Sequence, residues 1–131
     1  MAVSPADPVA RAFGGRVVRS ATAPGPASHD GAGGRYVFLP SAGDTAAYAL
    51  DVERRAQDLP AAVAAALGRS GDAAAQGWTA LEVVAKLTGT PVLALLRMPY
   101  PAEFIDRPEQ FGIEIERTDT EDLWIAVGRH P

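Results

Sequence analysis

Between Phe111 and Val127 the chain alternates apolar and polar side chains in two short runs, and this pattern restricts its fold more than any other feature. Phe111, Ile113 and Ile115 alternate with Gly112, Glu114 and Glu116; Thr118 to Asp122 supplies turn residues; Leu123, Ile125 and Val127 then share one face. A period of two marks half-buried strands, so this segment is expected to be an antiparallel hairpin with one apolar face.

A second hairpin is expected upstream. Tyr36-Val37-Phe38-Leu39 is a strand run closed by Pro40, Ser41-Ala42-Gly43-Asp44 has turn chemistry, and Tyr48, Leu50 and Val52 alternate with Ala47, Ala49 and Asp51. Leu59, Val63 and Leu67 recur at helical spacing behind Asp58 and Pro60 until Gly68. After a polar break from Arg69 to Gly77, Thr79 and Glu82 form a capping box with Trp78 and Val83 as its staple, predicting a helix from Ala80 to about Thr88 that ends at Gly89. Val92 to Met98 is apolar nearly all round. Its length favours a central strand buried on both sides, against a competing helix that opens at Thr90-Pro91.

Of the apolar residues 26 are Ala, leaving 36 larger side chains, enough for one core in a chain of 131 residues. The expected architecture is α+β: a mainly antiparallel sheet of about five strands, made of two hairpins plus the central strand, with two short helices packed on one face. Residues 35–131 form the single domain. Residues 1–34, rich in Gly, Pro and Ala, form a flexible arm with at most one short edge strand at Arg16-Val17-Val18-Arg19.

Chemistry is excluded more readily than assigned. The absence of cysteine removes disulfides, thiol nucleophiles and cysteine-ligated metals. His29 lies in a Gly/Pro-rich loop and His130 near the end of the sequence, so neither is held as a preorganised base and no metal-ligand spacing exists. No catalytic residue, metal or cofactor is therefore expected. No stretch has a signal peptide's pattern or the length of a membrane span, which makes a cytoplasmic protein without membrane contact the default expectation. Glu103 to Asp122 holds eight acids against Arg107 and Arg117, a local net of −6 that disfavours nucleic acid and suits a basic partner.

The stretch from Val84 to Arg97 resembles the helix-turn-helix signature of bacterial repressors, with Ala85, Gly89 and Leu95 in the small, turn and apolar places. The resemblance implies a DNA-reading second helix, yet Val92, Leu93 and Leu96 stand where polar side chains would meet base edges. The expectation that fits the charge and the missing catalytic groups is a small non-enzymatic protein-binding module, immunity-, antitoxin- or adaptor-like, acting as monomer or homodimer. Its partner-binding residues would be Tyr100, Phe104, Glu114, Glu116, Asp119, Glu121 and Trp124 in the acidic C-terminal half. A hydrolase or isomerase with a pocket between sheet and helices, using Tyr36, Tyr48, Tyr100 or a buried carboxylate, is the alternative. A helix-turn-helix regulator is the second alternative.

Overall fold

A computed structural model describes residues 9–10, 13–41 and 45–130. The beginning of the expected arm and most of the Ser41–Asp44 turn lie outside the described residues. The strands are β1 (Val9–Ala10), β2 (Gly15–Arg19), β3 (Ala27–His29), β4 (Arg35–Pro40), β5 (Tyr48–Arg54), β6 (Glu114–Asp119) and β7 (Leu123–Arg129). Helices α1 (Ala61–Leu67), α2 (Gly71–Thr88), α3 (Val92–Leu96) and α4 (Ala102–Asp106) all fall between β5 and β6.

The class is α+β with antiparallel pairing throughout, but there are two sheets where one was expected. The outer sheet has the order β1-β2-β4-β3 and the middle sheet the order β5-β7-β6. The register of the middle sheet explains its sequence. Leu50, Val52, Leu123, Ile125 and Val127 share one face and meet Phe13, Val17 and Phe38 of the outer-sheet layer. The opposite face carries Ala49, Asp51, Ala126 and Gly128, and Val83 of α2 packs on this row. Small residues bring the helix backbone close to the sheet. A Cβ on Gly128 would lie 2.4 Å from Val83 Cγ1 and 3.3 Å from the Glu114 carbonyl oxygen. Behind α2, residues Leu67, Leu81, Val84, Leu95, Ile105 and Ile113 tie the four helices into a third layer.

The C-terminal hairpin forms, with β6 paired to β7, but without the single apolar face expected of it: Ile115 stands opposite Gly128 and packs with Ile113 toward the helices, whereas Leu123, Ile125 and Val127 face the outer sheet, and Phe111 belongs to a 3-10 turn (Pro108–Phe111) ahead of the strand. The upstream hairpin does not form: β4 pairs with β2 and β3, while β5 pairs with β7. Residues 15–19 and 27–29, expected in the arm, are strands of the outer sheet, because β4 supplies backbone partners that local composition cannot reveal. α2 begins at Gly71 rather than Ala80, so Thr79 is no cap; its hydroxyl donates to the Ala75 carbonyl at 2.8 Å, inside the helix. Gly89 closes α2 in the left-handed conformation at φ 65°, as expected of a C-terminal glycine. Val92–Leu96 is a helix, not the central strand; Pro91 fixes the entry and only Leu95 of its residues is fully buried.

The contact of α2 with β7 has a measurable consequence. Gly128→Ala is expected to destabilise the fold by about 1–3 kcal/mol, the usual cost of overpacking, read as a lower urea midpoint with an unchanged slope.

Candidate functional site

The structure separates the residues expected to form one partner-binding surface. Glu114 and Glu116 point to the same side of β6, and Asp119 to the other. Two of the acids are paired with cations from elsewhere in the chain: Glu114 with Arg129 at 3.3 Å and Asp119 with Arg55 at 3.0 Å. Glu121 is exposed in the turn. Trp124 is only 3% exposed, so it offers no surface anchor. It faces the helix layer opposite Glu53, with the Arg55 guanidinium 3.9 Å above its ring.

The exposed apolar surface lies instead at the α3–α4 end. Among the described residues the exposed large apolar side chains are Leu93, Met98, Tyr100 and Phe111, with Tyr100 at 76%. Phe104 is half-buried against the helical core and stacks on Phe111 with ring centroids 4.5 Å apart. Pro99-Tyr100-Pro101 keeps Tyr100 in a connection that no element covers. The signal for Tyr100 was its place between two prolines; Leu93 and Met98 were missed because a central strand would have buried them. α3 follows α2 across Gly89 as a helix-turn-helix would, but it has five residues and its exposed position carries Leu93.

A second cluster surrounds Asp51, which alternation had assigned to a polar face. Asp51 is 4% exposed, at the edge of the middle sheet and against α2. The outward backbone groups of β5 are served by side chains: Val52 N–H donates to Ser28 Oγ at 3.0 Å, and Lys86 Nζ donates to the Leu50 carbonyl at 2.6 Å. Asp51 Oδ1 joins the two, accepting from Ser28 Oγ at 3.4 Å and lying 3.6 Å from Lys86 Nζ. Its Oδ2 has no partner of ordinary hydrogen-bond geometry, and Glu53 lies on the same strand face. Burial pushes the Asp51 carboxyl up to about 9; the hydrogen bond and charge of Glu53 add to this, while Lys86 opposes it. Burial raises Glu82 as well, with Glu53 again reinforcing. Asp51 is thus a neutral acid at pH 7, an uncommon state that burial and like charge produce together.

The sign of the resulting pH dependence follows directly. A folded-state value near 9 lies above the ordinary carboxyl value, so the folded chain binds more protons between about pH 4 and pH 9 and its stability falls as pH rises through that window. Asp51→Asn, which imitates the protonated acid, is expected to flatten the decline and to exceed the natural chain in urea midpoint at pH 9.

Comparison with protein-family models, with curated proteins and with solved structures returns no match, so the chain's chemistry is read from its own geometry.

Proposed function

We propose that the chain is a small non-enzymatic protein-binding module that meets its partner with the C-terminal half, through exposed aromatic and aliphatic side chains beside acidic ones. The observation that carries this is the concentration of all exposed large apolar residues of the described chain within Leu93 to Phe111. All four fall in one short stretch of the chain, and exposed apolar residues that form a patch mark interaction surfaces. Tyr100 is the anchor: a large ring with a polar tip, held in a Pro-bounded connection, gives contact area at low ordering cost. Arg97 and Arg107, both exposed, lie in the same segment. The acids Glu114, Glu116, Asp119 and Glu121 belong to the hairpin and contribute long-range attraction to a basic partner more than buried contact.

A hydrolase or isomerase is the alternative, favoured by the desolvated Asp51. Against it, Asp51 Oδ1 is already committed to Ser28 and Lys86 at the sheet edge.

The test is affinity capture from native lysate at two salt concentrations. Tyr100→Ser combined with Leu93→Ser is expected to abolish recovery of the partner without lowering the thermal midpoint. Charge reversal of Glu114, Glu116, Asp119 and Glu121 is expected to reduce recovery mainly at low salt. Unchanged recovery by the apolar double variant refutes the surface.

A further inference from the structure

We propose that Asp51 is a proton-operated latch on the seam between the two sheets: while it holds a proton, β3 stays on the edge of β5, and its ionisation releases β3. The latch is independent of the exposed apolar surface at the α3–α4 end, and it acts on one seam rather than on the fold as a whole.

The construction of the seam is the first argument. Strands β3 and β5 belong to different sheets, and among the described residues no backbone hydrogen bond joins them. One hydroxyl bridges them instead. Ser28 Oγ, on β3, accepts from the Val52 N–H at 3.0 Å and turns its own proton toward Asp51 Oδ1 at 3.4 Å. β3 is three residues long, and its other side is paired with β4. A strand this short, held across the seam by one side chain, opens locally at lower cost than the core.

The surroundings of Asp51 are the second argument. The residue is 4% exposed, and its Oδ2 meets no donor. An ionised carboxylate there has one oxygen unsatisfied in a dry site, which is a costly state. The charged groups that face it come from two elements: Glu53 from β5, and Glu82 and Lys86 from α2. β7 places Ala126 opposite it, and β3 offers the neutral Ser28. Lys86 is the cation of this set, but its ammonium also serves the Leu50 carbonyl at 2.6 Å, and its side chain is 37% exposed to water. Two acids and one partly solvated cation leave the ionised form undercompensated. The raised carboxyl described above agrees with this geometry. Movement of β3 away from β5 admits water to both oxygens. The open form therefore releases a proton that the closed form keeps, and rising pH shifts the balance toward opening.

Hydrogen exchange of the Val52 amide reads the latch, because Ser28 covers that N–H. Between about pH 5 and pH 8 its opening constant, corrected for the intrinsic exchange rate, is expected to rise about tenfold per pH unit, as release of one proton requires. Low urea concentrations are expected to leave Val52 exchange unchanged while speeding that of Val127, whose strand is central in the middle sheet and opens with the whole fold. Asp51→Asn is expected to remove most of the rise with pH, leaving the smaller contribution of Glu82. Should that variant fail to fold, Glu53→Gln removes one of the two facing acids and is expected to reduce the rise over the same range. A Val52 opening constant that does not change with pH overturns the proposal. So does an equal rise in the Asp51 variant, which assigns the proton elsewhere. Urea dependence at Val52 as steep as at Val127 also overturns it, because the proton then leaves only on global unfolding.

Discussion

Strand β7 is buried on both faces, and the other layers are arranged by the need to cover it. From Leu123 to Gly128 every residue is buried, with Leu123, Ile125 and Val127 toward the outer sheet and Trp124, Ala126 and Gly128 toward the helices. A sheet covered on both sides needs large residues where side chains interlock and small ones where a helix must approach. The middle sheet has both. The remaining difficulty is its edge at β5, where backbone groups would be left unpaired in a dry seam. Ser28 and Lys86 take those groups, and Asp51 holds the two in place. The perturbed acid is thus a product of the same double coverage.

Local chemistry was legible where it is locally decided. Gly68 and Gly89 end helices because their left-handed conformations suit glycine, and the C-terminal hairpin forms because its own turn joins the paired strands. Pairing between distant segments was not legible. The run Tyr36 to Leu39 reads as a strand whichever strand it joins, and Val17 gains its place only through register with Phe38. Val92 to Leu96 has the length of a strand, but Pro91 and the buried Leu95 make a single helical turn the better fit. Gly71 and Gly77 hid the first half of α2, which the sheet beneath stabilises despite weak intrinsic propensity.

The same limit governs the sites. Asp51 and Trp124 sit on one face of the middle sheet, and alternation alone allowed that face to be wet. Only the third layer makes it dry, turning an ordinary acid into a neutral one and an indole into a buried donor. The acidic segment changes character in the opposite direction. Asp106, Glu114 and Asp119 meet Arg69, Arg129 and Arg55, cations brought from beyond that segment by folding. Its surface field is therefore weaker than its composition suggests.

The order of the strands also bears on synthesis. Leu50 pairs with Val127, and the whole helical layer is encoded between them. While the ribosome is still making that layer, β5 and the outer sheet have no central strand to close on, and their apolar faces stay open to solvent. Such long-range closure is slow, and open strand edges associate readily with other chains. The nascent protein thus passes through an interval in which its own packing does not yet cover those faces.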